Sequence, residues 1–136
     1  MIKKNKSRES LEKFGKDLAN QVKKEKNPSI ELPVRSLSNI NFDKKTRTLV
    51  LGKSMAKRFF FNVAHAKKFL QTLEVAKVSN DLLKEDKHAS LRDVFYMVKR
   101  TIPGTKINVV DEQTESDSVI EDMELISQRS REQLNV

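Results

Sequence analysis

The chain has 136 residues, a formal net charge of +8 and no cysteine, which gives room for one domain, excludes disulfides and leaves no thiolate for a metal. Hydrophobic residues make up 37% and charged residues 34%, enough for a core beneath a heavily ionised surface. His65 and His88 lack ligand spacing, the start Met1-Ile2-Lys3-Lys4-Asn5-Lys6 has no apolar run behind it, and no stretch reaches bilayer length. No zinc centre, signal peptide or membrane anchor is expected. Residues 1–100 carry 24 Lys/Arg against 11 Asp/Glu, whereas residues 101–136 carry 3 against 8. A basic body with an acidic end points to a polyanionic partner for the body.

Residues 7–26 read as a first helix, with Leu11, Phe14, Leu18 and Val22 in one narrow stripe that suits docking on a neighbour. Asn27-Pro28 ends it, so residues 1–27 form a basic N-terminal extension. Ile30 and Leu32, then Ile40 and Phe42, alternate as in strands. A β-hairpin is expected at about 38–51, with its polar turn at Asp43-Lys44-Lys45-Thr46-Arg47. Lys53, Lys57 and Arg58 then lead into the longest helix, about 62–84, capped by Asn62. Its expected buried face is Val63, Ala66, Phe69, Leu70, Leu73, Ala76 and Leu83, with Lys67, Lys68, Lys77 and Lys84 along it.

The next helix holds the only tyrosine. Ser90 can cap it with Asp93 three residues on, and Leu91, Val94, Phe95 and Val98 form an apolar stripe. Arg92 and Tyr96 are four apart and share a helical face, which puts a hydroxyl beside a guanidinium fork. Thr101-Ile102-Pro103-Gly104-Thr105 breaks and turns the chain. A last helix follows at about 114–128, with Val119, Ile120, Met123 and Ile126 inward. Asp111, Glu112, Glu115, Asp117, Glu121, Asp122 and Glu124 read as a solvated or partner-facing surface, and no metal ligand is assigned. Three helices after a hairpin resemble a helix-turn-helix arrangement of winged-helix type, an α+β class, and Gln133-Leu134-Asn135-Val136 is expected to begin the first wing strand.

A family resemblance rests on Pro28-Ser29-Ile30, Pro33-Val34-Arg35-Ser36-Leu37-Ser38-Asn39-Ile40, Leu51-Gly52 with Arg58, and Phe69-Leu70-Gln71-Thr72-Leu73. It continues with Leu91-Arg92-Asp93-Val94-Phe95-Tyr96, Glu115-Ser116-Asp117 and Ile120-Glu121-Asp122. In these stretches, in family order from 28 to 136, the sequence resembles the A subunits of archaeal-type DNA topoisomerase VI and the related meiotic double-strand-break protein.

The resemblance implies a winged-helix domain of the catabolite-activator type over residues 28–136, with Tyr96 as the catalytic nucleophile that becomes linked to a 5′-phosphate. Many relatives carry a second tyrosine one position earlier, where this chain has Phe95. Arg92 maps onto the family arginine that holds the phosphate. The family's wing and Toprim domain, with its Mg²⁺-binding carboxylates, are expected to be missing, as in a truncated chain, a split-gene product or a partial gene. The resemblance also implies double-stranded DNA as substrate, an ATP-binding B subunit, a homodimer of A subunits in an A2B2 heterotetramer, and a cytoplasmic, nucleoid-associated setting without membrane contact. The basic first helix and the hairpin are candidate docking surfaces for the B subunit. The alternative is a winged-helix DNA-binding regulator without chemistry; against it, the presumed recognition helix is acidic and would be repelled by phosphates.

Overall fold

The computed structural model describes residues 2–136, so Met1 of the expected extension lies outside the described residues. In chain order the elements are α1 (Ile2–Lys23), β1 (Ser29–Pro33), β2 (Ile40–Asp43), β3 (Thr48–Leu51), β4 (Met55–Phe59), α2 (Val63–Glu85), α3 (Leu91–Val98) and α4 (Gln113–Ser127). Short 3₁₀ turns occupy Leu37–Asn39 and Arg131–Leu134. The class is α+β, with two separate antiparallel ribbons, β1–β4 and β2–β3.

The helix stripes bury much as their spacing requires. On α1, Leu11 and Leu18 are buried and Phe14 half-buried, while Val22 at the helix end is exposed. Leu11 packs with Ala76, Leu83, Met123 and Leu134, and Leu18 with Ile30, Leu32 and Phe69, so α1 is seated across α2, α4 and β1. The largest cluster lies between α2, α3 and α4 and gathers Val75, Leu82, Val94, Phe95, Val98, Val109, Val119 and Ile120.

Helix α2 starts at Asn62, whose side chain accepts from the Ala64 N–H at 3.0 Å, and ends at Asp86 in the left-handed region at φ 55°. Its buried face differs from the apolar reading. Val63 is 95% exposed, because the first turn projects beyond the packed elements, while Gln71, Thr72 and Ser79 are buried. Each of these polar residues has a partner: Gln71 donates to the Val109 carbonyl, Thr72 to that of Lys68 and Ser79 to that of Leu134, all at 2.8 Å. Hydrogen-bonded polar side chains bury at little cost, and an apolar stripe does not reveal them.

Strand β4 corrects the expectation that residues 53–61 merely lead into α2. Ser29 pairs with Phe59 and Pro33 with Met55 in an antiparallel ladder. The inward side chains of β4 are Ala56 and Arg58, so its core face carries a charge and escapes apolar alternation. Arg58 is matched by Asp122 of α4, which is fully buried: Arg58 donates to one carboxylate oxygen at 2.5 Å and Arg35 to the other at 2.8 Å. Arg35 also pairs with Glu121. Asp122 therefore does not belong to a solvated acidic face. It is the point at which the β1–β4 ribbon and the loop after β1 are held to α4.

The expected wing strand at Gln133–Val136 is likewise corrected. Ser130 and Gln133 form a reciprocal capping box, Asn135 turns left-handed at φ 61°, and the segment winds into a 3₁₀ turn that buries Leu134. The Ala89 N–H donates to the Asn135 carbonyl at 3.0 Å, and the Asn135 side chain to that of Lys87 at 2.9 Å. Local capping overrides strand propensity here.

Replacing Asp122 by alanine leaves two guanidinium groups without their shared carboxylate. Because Arg35 and Arg58 retain 34% and 23% side-chain exposure, the loss should sit near the lower end of the roughly 3–5 kcal/mol typical of breaking a buried pair. Urea denaturation should show a lower midpoint at unchanged slope; an unchanged midpoint would show that the cluster does not hold the ribbon.

Candidate active site on the tyrosine helix

Helix α3 is fixed at its start by a full capping box. The Asp93 N–H donates to Ser90 Oγ at 3.1 Å, the Ser90 N–H to Asp93 Oδ2 at 3.1 Å and Ser90 Oγ–H to the same oxygen at 2.7 Å. The Ser90 hydroxyl and N–H hold the Asp93 carboxyl below its usual pKa. At the other end Arg100 pairs with Glu74 of α2. Val94, Phe95 and Val98 are buried, which leaves α3 one orientation on the core.

That orientation decides what faces outward. Successive helical residues point about 100° apart, so an inward Phe95 puts Tyr96 outside. Tyr96 is 58% exposed, and among the described residues nothing hydrogen-bonds its hydroxyl. The Arg92 guanidinium carbon lies 5.9 Å from the Tyr96 ring centroid, within cation–π range, and Arg92 is itself exposed. The two residues that share a face in the sequence are thus brought together at the surface. Lys99 adds a cation nearby, its ammonium 5.1 Å from the Phe95 ring.

The acidic segment is organised around cations. Lys67 pairs with Asp111 at 3.0 Å and Glu115 at 3.3 Å, and Arg131 with Glu124 at 3.6 Å. Burial alone would raise the Glu115 carboxyl, but the N–H groups of Asp111 and Glu112 and the Lys67 ammonium outweigh it and hold it low. Lys68 is pushed down, chiefly by burial, with Arg58 and Arg35 adding repulsion against the opposing pull of Asp122. Among the described residues no group of three or more His, Cys, Asp or Glu is placed to hold a metal ion. The sequence shows Arg35, Arg58 and Asp122 separately, without a signal that they meet across 87 and 64 residues of chain.

Residues 67–136, which include α3 and α4 entire, match the family model described as type IIB DNA topoisomerase. The chain belongs to this family. It is 43% identical over 126 residues to the A subunit of type 2 DNA topoisomerase 6 from Pyrococcus abyssi, an alignment covering 93% of this chain and 33% of that relative. The corresponding protein of Hyperthermus butylicus is 41% identical over 130 residues, covering 90% of this chain and 33% of the relative. That of Saccharolobus shibatae is 38% identical over 127 residues, covering 87% and 33%. The chain spans about a third of the length of the curated relatives it matches. Among the described residues no helix is long and apolar enough to cross a membrane.

The cap of this type IIB family helix makes a pH prediction. The folded-state pKa of Asp93 is depressed, so its contribution is full above the unfolded value of about 3.9 and is lost as pH falls through the lower folded value. Asp93→Asn should lower the denaturation midpoint at neutral pH, and the difference from the parent should shrink as pH falls below the unfolded value. A constant difference across that range would show that the carboxylate does not stabilise the cap.

Proposed function

We propose that this chain is the DNA strand-cleaving module of a type IIB topoisomerase A subunit, with Tyr96 as nucleophile and Arg92 as the residue that grips the phosphate. One observation carries the reading: an outward tyrosine with an arginine over its ring, on a helix whose other face is locked into the core. In this mechanism the phenol gives up its proton and its oxygen bonds to phosphorus. The bond to the 3′-oxygen breaks, that oxygen leaves as a 3′-hydroxyl after taking a proton from solvent, and the 5′-phosphate remains as a phosphotyrosyl ester. Reversal reseals the strand without outside energy, because the ester conserves the bond.

A phenol of pKa about 10 is a poor nucleophile at neutral pH and needs positive charge or a base beside it. Arg92 supplies the charge, and its planar fork suits the non-bridging oxygens as negative charge develops on them. The resemblance implies Mg²⁺ held by carboxylates of the Toprim domain, and it supports that reading that among the described residues Asp111, Glu115, Glu121, Asp122 and Glu124 face lysine or arginine instead.

Residues 28–136 form, in this reading, a winged-helix domain lacking its C-terminal wing, in which α3 rather than acidic α4 approaches the duplex. An ATP-binding B subunit drives strand passage, and two A subunits cut opposite strands in an A2B2 assembly. The family match and the basic surplus of residues 1–100 support these assignments.

The test uses the full-length A subunit bearing this sequence, with its B subunit, Mg²⁺ and ATP. Tyr96→Phe removes one exposed oxygen, so DNA binding should persist while covalent protein–DNA adducts vanish. Arg92→Lys keeps the charge and loses the fork, which should slow cleavage by about 10²–10³. Denatured reactions, nuclease digestion and peptide mapping by mass spectrometry locate the adduct. An adduct on any other residue refutes the nucleophile, and a fast Arg92→Lys enzyme refutes only the role of Arg92. A parent protein that forms no adduct and binds one sequence tightly would favour the regulator.

A further inference from the structure

The β2–β3 hairpin is anchored at its base and free along its length. At the base, the Asn39 side chain donates to the carbonyls of Val34 at 2.7 Å and Ser54 at 3.2 Å and accepts from the Ser54 N–H at 3.1 Å. Gly52 closes against this residue; a Cβ there would stand 2.5 Å from Asn39 Oδ1. At the tip, Asp43 accepts from the Lys45 N–H at 2.8 Å and Arg47 takes a left-handed turn at φ 53°. Between base and tip the two strands pack chiefly on each other.

Ile40 pairs with Leu51 and Phe42 with Leu49, so these four side chains share one face, and all are exposed. The pair next to the tip stands out furthest, with Phe42 at 60% and Leu49 at 72%. Beside that pair lie Lys44, Lys45 and Arg47, with Lys53 at the base and Asp43 the one acidic residue between 40 and 53. Among the described residues none of the four cations is ion-paired. An isolated two-stranded ribbon is marginal in water, so a ribbon with an uncovered apolar face and a basic tip calls for an occupant.

We infer that this hairpin is a DNA-binding arm, in which Lys44, Lys45 and Arg47 hold backbone phosphates while Phe42 and Leu49 press against a base step and bend the duplex. The inference rests on the DNA reading above and places a second contact outside the tyrosine helix. Three features favour duplex DNA as occupant. The unpaired cations complement a polyanion. A two-stranded ribbon has the dimensions of a groove. Apolar side chains beside phosphate-holding cations are the means by which architectural proteins unstack a step and kink DNA by about 20–90°. A second copy is disfavoured, because two basic tips would repel.

The experiment measures duplex affinity against salt for the full-length A subunit with its B subunit, and duplex bending by energy transfer between end labels. Changing Lys44, Lys45 and Arg47 together to glutamine should reduce the slope of log affinity against log salt by about 2–3, at roughly 0.9 per lost phosphate contact. The charge-keeping set Lys44→Arg, Lys45→Arg and Arg47→Lys should retain the slope. Phe42→Ser with Leu49→Ser should keep the slope and lose the bend. All three variants should keep the parent melting temperature, since these side chains are exposed. An unchanged slope in the glutamine variant overturns the arm, and an unchanged bend in the serine variant overturns the wedge. Loss of the B subunit in sedimentation, with slope and bend intact, assigns the hairpin to protein docking and overturns the proposal. Tyr96→Phe, scored for adducts alongside, tests the cleavage reading independently of these outcomes.

Discussion

A single buried carboxylate ties the β1–β4 ribbon and the loop after β1 to α4. Asp122 is inaccessible to water and faces Arg35 from the loop after β1 and Arg58 from β4. A lone carboxylate in that position would be prohibitively costly, and its tolerance depends on charge-assisted hydrogen bonds to both oxygens. Such a cluster adds less net stability than its charges suggest, because desolvation offsets much of the attraction. Its directional demands are stricter than those of an apolar contact: only one placement of the ribbon on α4 satisfies both arginines.

That constraint reaches α3 through packing. Helix α4 contributes Asp122 on one side and Val119 and Ile120 on another, and the latter two share the cluster that buries Val94, Phe95 and Val98. The ribbon, α4 and the tyrosine helix therefore form a chain of rigid contacts. Arg92 and Tyr96 project from its end into solvent. Rigid support beneath an exposed, chemically capable pair is the arrangement expected where geometry must be kept and access left open.

Much of this is legible in the sequence, for physical reasons. Asn62 and the Ser90–Asp93 box are local signals, and both helices begin where those residues place them. The stripe of α3 is readable because three strongly apolar residues at helical spacing admit one orientation on a core, and that orientation fixes Tyr96 outside. Strand β4 is hidden because one of its two inward residues is an arginine, whose partner lies 64 residues away. Buried Gln71, Thr72 and Ser79 are hidden for the same reason, since their partners are distant or backbone groups. The segment 133–136 misleads because Leu134 resembles a strand residue until the Ser130–Gln133 box is seen to wind it into a turn.

The contact between Arg92 and the Tyr96 ring has a consequence for order and disorder in the free protein. A long arginine side chain gives up about 2 kcal/mol of rotational entropy when it is fixed, and a ligand that immobilises a freely moving arginine is weakened accordingly. Here the guanidinium already rests over an aromatic face, at 5.9 Å from its centroid. Part of its freedom is gone before any anion arrives. In the proposed mechanism, a phosphate at Tyr96 would meet an arginine that needs only to pivot from the ring to the incoming oxygens, rather than one that must first be found among many rotamers.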